Sequence, residues 1–100
     1  MRLSVGPVVA FLAPPPRSQA VEEGTSLTLS CQSTDEAIVI GRHWTHNGIV
    51  LAGETGATLS LTASIATKTD GEYLCAVYTA VGQERLRTSV VVVELSLIHI

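Results

Sequence analysis

One hundred residues leave room for one domain with one core. The chain is 46% hydrophobic but only 4% aromatic, and its apolar content is mostly Val, Leu, Ala and Ile, which with frequent Ser and Thr favours strands over helices. A net charge of −3 with six scattered basic residues makes no stripe for a phosphate backbone, so nucleic acid is not an expected partner.

Residues 1–20 carry two readings. As a secretory leader they offer Arg2, an apolar stretch over residues 3–13, and small residues at Ser18 and Ala20 before a cleavage point. As structure, residues 1–7 are a leader or upstream segment and residues 7–12 are the first strand of a domain that runs over residues 8–94. The triple proline at 14–16 suits a cleavage region poorly, which favours the strand. No apolar run nears the roughly 20 residues of a membrane-spanning helix, so membrane insertion by this segment is not expected.

From about Gln19 onward, short apolar runs alternate with turn signals, the pattern of a sandwich or barrel. In GTSLTLSC, Leu27, Leu29 and Cys31 share one face and Thr28 and Ser30 the other. IVIGRHWTH follows and ends on Asn47 and Gly48, the strongest hairpin signal in the chain. ATLSLT alternates through Leu59 and Leu61. GEYLCAV puts Tyr73, Cys75 and Val77 on one face, Gly82 marks a turn, and LRTSVVVV closes a long final hairpin. The reading is all-β. The last six residues, LSLIHI, match one translated frame of a widely used sequencing adapter, so residues 95–100 are expected to be a non-biological tail.

Cys31 and Cys75 stand 44 positions apart with no CxxC pair, which removes the common structural zinc layouts. The even count leaves a disulfide as the simplest use. Cys31, Trp44 thirteen residues on, and Tyr73 two before Cys75 together resemble the immunoglobulin superfamily over roughly residues 8–93. VEEGTSLTLSC, WTHNGIVL, Gly82 and Phe11-x-x-Pro14 are similar to its I-set type.

The resemblance implies an immunoglobulin-like two-sheet antiparallel sandwich with one intersheet disulfide, Cys31 to Cys75. Trp44 would pack on the bridge with Leu29 in the same core, Tyr73 would brace the E–F corner, and Gly71 would belong to the turn that lets Tyr73 and Cys75 face inward. Three places depart from the family pattern. Thr69 stands where Asp is usual, and Asp70 is one residue late. Leu61 to Ile65 is one residue longer than the family pattern, so an irregular corner is expected. Arg42 occupies an inward aliphatic position, where a bulge at Gly41 would bring Ile40 inward and release the arginine.

Catalytic, metal and cofactor chemistry find little support. His43 and His46 fall on opposite faces of one strand, and a thiol nucleophile at Cys75 would need an exposed, electropositive setting that the motif denies it. One feature points to binding: Leu74, Ala76 and Tyr78 face outward with Val91 and Val93, rimmed by His43, Thr45, Arg85 and Arg87. Such strips mark protein contacts, though surface Val and Leu on any β-rich domain have the same composition.

The family resemblance implies a non-enzymatic recognition module of a larger extracellular or cell-surface adhesion or receptor protein. It would bind a protein ligand or a second copy through a sheet face, the B–C loop QSTDEA or the F–G loop TAVGQE, beside neighbouring Ig-like domains. A cytoplasmic, sarcomeric spacer in a giant muscle protein and an ectodomain module of a receptor kinase are the alternatives.

Overall fold

A computed structural model describes residues 9–94; the leader segment 1–7 and the tail 95–100 lie outside the described residues, as does the start of the expected first strand. Among the described residues seven strands form, in chain order β1 (Ser18–Glu22), β2 (Ser26–Ser30), β3 (Gly41–His46), β4 (Ile49–Val50), β5 (Thr58–Thr62), β6 (Gly71–Thr79) and β7 (Gly82–Val93). They make a five-stranded sheet ordered β1-β7-β6-β3-β4 and a two-stranded sheet of β2 and β5. All pairings are antiparallel except β1 with β7, which run parallel from Ser18 opposite Ser89 to Glu22 opposite Val93.

The alternation in the sequence becomes the packing. Leu29 and Leu59 sit opposite each other on β2 and β5, and both are buried. Tyr73, Cys75 and Val77 of β6 and Val90 of β7 face them from the larger sheet, with Trp44 of β3 beside Cys75. Burying a Leu, Val or Ile side chain stabilises the folded state by about 1.5–3 kcal/mol. Val9 joins this core, and Phe11 makes an isolated bridge to Ser33. Prolines 14–16 lack the N–H groups a ladder needs, so the chain leaves its pairing with residues 32–34 there and re-enters pairing at β1, on the five-stranded sheet.

Two hairpins follow from their turn residues. Asn47 and Gly48 both take positive φ, 53° and 85°, as a two-residue turn between β3 and β4 requires. Ala80 and Val81 close β6 onto β7, where the Thr79 hydroxyl donates to the Gly82 carbonyl at 3.0 Å and accepts from the Val81 N–H at 3.2 Å. Between β4 and β5 the chain turns without forming a strand, and the Trp44 Nε1–H donates to the Gly56 carbonyl there at 3.0 Å.

The expected bulge at Gly41 is absent. β3 pairs with β6 in unbroken register from Gly41 opposite Tyr78 to His46 opposite Tyr73, so Arg42 stays on the inner face with Trp44. Ile40 is left 71% exposed. The arginine is tolerated because it sits at the rim of the core. Its Nε donates to the Cys31 carbonyl at 3.3 Å, and its guanidinium pairs with Glu36 of the short 3-10 turn Glu36–Ile38.

Candidate binding face

The inner scaffold sets the outer surface. Cys31, directly after β2, and Cys75, in the middle of β6, form a disulfide across the two sheets with Cα atoms 6.4 Å apart. Trp44 lies in the same buried cluster, 2% exposed. With both thiols in the bridge, neither is available as a nucleophile or a ligand.

The corner before β6 is built on hydroxyls. The Tyr73 hydroxyl donates to the Thr69 carbonyl. The Thr69 hydroxyl donates to the Thr62 carbonyl at 2.9 Å and accepts from the Ser64 N–H at 3.0 Å. A neutral side chain thus does the bridging for which a carboxylate was the family expectation, and Asp70 stays exposed. The corner is irregular, with Lys68 at φ 55°. Burial, with the Asp70 charge adding to it, pushes the Tyr73 hydroxyl pKa above the ordinary tyrosine value.

His46 and His43 part company as their spacing requires. His46 stacks flat on Tyr73 on the inner side, ring centroids 4.2 Å apart. Its Nε2 lies 2.8 Å from the Asp70 carbonyl, which only accepts, so that nitrogen carries the proton. His43 is on the outer face, stacked on Tyr78 at 5.5 Å and sharing a 2.8 Å hydrogen bond between its Nδ1 and the tyrosine hydroxyl. Among the described residues, no group of three or more His, Cys, Asp or Glu side chains is placed to hold a metal ion.

The outer face of the five-stranded sheet carries the remaining candidates: Leu74 and Tyr78 of β6, His43 of β3, and Arg85, Arg87 and Val91 of β7. Leu74 and Tyr78 are half-buried, while the two arginines and Val91 are exposed. Ala76 departs from the expected strip. It faces outward but is only 2% exposed, since it sits in register between His43 and Arg85, whose longer side chains overtop a methyl group.

The strip is also divided. Leu74 stands opposite Arg87, and Glu72 opposite Ser89. The Glu72–Arg87 ion pair, at 3.5 Å, therefore lies between the Leu74–Tyr78 patch and Val91 with Val93. Alternation places these residues on one face without making them one patch.

The two candidate loops differ. The F–G connection is only the tight turn at Ala80 and Val81, with Val81 84% exposed at its tip. The B–C loop is folded on itself: Glu36 accepts from the Ser33 N–H at 2.6 Å while it pairs with Arg42, and the Asp35 carboxylate accepts from the Ala37 N–H at 3.2 Å. The Arg42 hydrogen bond above all holds the Glu36 carboxyl below the usual carboxylate range.

Sequence reasoning missed one contact. Gly71, at φ 133°, leaves space that the Asn47 side chain fills, and a Cβ there would stand 2.5 Å from Asn47 Oδ1. That oxygen accepts from the Glu72 N–H at 2.9 Å, tying the β3–β4 turn to the start of β6. The only hint lay in two residues 24 positions apart, and nothing in their local patterns joins them.

A disulfide-bridged pair of sheets with a tryptophan beside the bridge and a tyrosine bracing the corner defines an immunoglobulin-like fold. Solved structures agree. The chain is similar to an Ig domain in the crystal structure of the titin M10–obscurin-like 1 complex, at 28% identity and TM-score 0.64, covering 85% of this chain and 94% of that one. It is similar to part of the N-terminal four Ig domains of Dscam1 isoform 4.44, at 19% identity and TM-score 0.62, covering 78% of this chain and 19% of that one. It also resembles part of a quinonprotein alcohol dehydrogenase-like protein from Bacteroides thetaiotaomicron, at 22% identity and TM-score 0.67 over 90% of this chain. The chain spans about a fifth of the Dscam1 and dehydrogenase-like chains. No protein-family model and no curated protein sequence matches it.

Proposed function

We propose that residues 8–94 form an I-set recognition domain, non-enzymatic, which binds a protein ligand or a second copy through the outer face of its five-stranded sheet. The observation that carries this is the outer face itself. β2 and β5 cover only the inner side, and outward stand a half-buried Leu74, the stacked His43–Tyr78 pair and the exposed Arg85 and Arg87. β1 pairing with β7, together with a short β4 and no strand between it and β5, supports the I-set type. Val9 in the core supports a domain that begins before the prolines rather than after a cleavage point near residue 20. The disulfide supports an extracellular or cell-surface setting, where bridges persist, and neighbouring Ig-like domains accompany such modules.

The test is binding of the tetramerised domain to a panel of cultured cells, with self-association followed by sedimentation. Leu74→Glu combined with Tyr78→Ser is expected to reduce whichever signal is found at least fivefold while the urea midpoint holds. Undiminished binding by the folded double variant would remove the sheet face from consideration.

A second reading has its own observation. The likeness to the titin M10–obscurin-like 1 Ig domain is higher in identity and covers nearly all of that chain, which supports a sarcomeric spacer. Mass analysis of the native protein under non-reducing and reducing conditions separates the two: a free Cys31 and Cys75 pair in tissue extract would end the extracellular reading.

A further inference from the structure

Five Lys and Arg side chains fall within residues 9–94, and their distribution is uneven. Arg42 is turned inward and paired with Glu36, and Lys68 sits at the corner before β6. The other three, Arg17, Arg85 and Arg87, line one hollow of about 660 Å³ between Pro14 and Pro15 on one side and the start of β6 on the other. Among the described residues, Glu72 is the single acid in the lining. It pairs only loosely with Arg87, at 3.5 Å, with both side chains about half exposed. Among the described residues, no ion pair engages the side chain of Arg17 or Arg85. Three arginines against one glutamate give the described lining a net charge of +2, on a chain whose net charge is −3.

We infer that this hollow is a binding site for an extended acidic peptide segment of a protein partner, one with Asp or Glu at alternate positions. The inference deepens the proposed sheet-face recognition and rests on that reading. Spacing and shape both argue for it. Arg85 and Arg87 are two residues apart on one face of β7, and an extended peptide repeats its side chains with the same period of roughly 6.7 Å. Each guanidinium is a planar fork that takes a carboxylate through two hydrogen bonds. Arg17 supplies a third cation across the hollow, and the Pro14–Pro15 wall offers apolar surface to an uncharged side chain between the acids. Glu72 decides the class of ligand. It opposes a uniform polyanion such as a sulfated polysaccharide, whereas a peptide can set a neutral residue against it.

The probe is a fluorescein-labelled eight-residue peptide alternating glutamate and serine, compared with a block peptide of four glutamates followed by four serines. Binding to the intact domain is read by anisotropy at about 50 and about 150 mM salt, with a heparin octasaccharide as a separate ligand. Arg17→Ala, Arg85→Ala and Arg87→Ala are each expected to weaken the alternating peptide at least fivefold, with unchanged urea midpoints. Lys68→Ala is expected to leave binding unchanged, and the block peptide to bind several-fold more weakly. Equal binding of the two peptides, an equal loss in Lys68→Ala, or heparin binding without peptide binding would each overturn the inference. No peptide binding at all, with the Leu74 and Tyr78 double variant still losing cell binding, would overturn the hollow and leave the sheet-face reading standing.

Discussion

Arg42 holds a full charge two positions from Trp44, on the inner face of a strand whose register leaves it no way outward. Its side chain is 9% exposed, while that of Glu36 is 41% exposed, so the pair spans the boundary between core and water. A carboxyl whose pKa is lowered in the folded state adds stability above its unfolded pKa. That contribution is lost as pH falls through the folded value. Glu36→Gln is therefore expected to unfold more easily at neutral pH, by about 1 kcal/mol given its exposure. The variant should also lose less stability than the parent between neutral pH and pH about 3, below the normal Glu value. Urea midpoints across that range check both, and parallel pH profiles would show that the pair contributes nothing.

At the scale of elements, the turn between β3 and β4 and the first residue of β6 behave as one unit through Asn47 and Gly71. Gly71→Ala places a methyl against the Asn47 amide at a φ of 133° and is expected to cost about 2 kcal/mol. Adding Asn47→Gly should recover part of that, so the double variant loses less than the two single changes summed. Simple additivity in denaturation would dissociate the two positions.

This contact also marks the limit of what the chain's pattern discloses. Period-two alternation foretells which face a side chain takes, so β2, β5, β6 and β7 are legible in it, while the Cys31–Trp44–Tyr73–Cys75 core is legible only through the family resemblance that its spacing carries. Depth on that face depends on the neighbours across the ladder, which is why Ala76 looks like surface in sequence and is covered in the fold. Whether Arg42 needs a bulge depends on an acid in another segment, Glu36. The Arg17 hollow needs β1 beside β7, a parallel pairing that neither strand announces.

For the whole molecule, the disulfide joins sheets of very different size, five strands to two. Reduction closes no new contact; it frees a loop of 44 positions in the unfolded chain, and on the chain-entropy account should lower stability by about 4 kcal/mol. Equilibrium urea unfolding with and without reductant measures this, and a change below about 1 kcal/mol would mean that the sandwich stands without its bridge.

The parallel pairing of β1 with β7 has a mechanical side as well. The chain enters this pair at Ser18 and leaves it beyond Val93, at opposite ends of five matched residue pairs. Tension applied between those two points pulls the strands along their length. The ladder is then loaded in shear, with all its hydrogen bonds sharing the force at once, and does not open one rung at a time. In a domain strung in series with others, pull arriving from the N-terminal side would meet the Val9 and Phe11 contacts first and this sheared seam next.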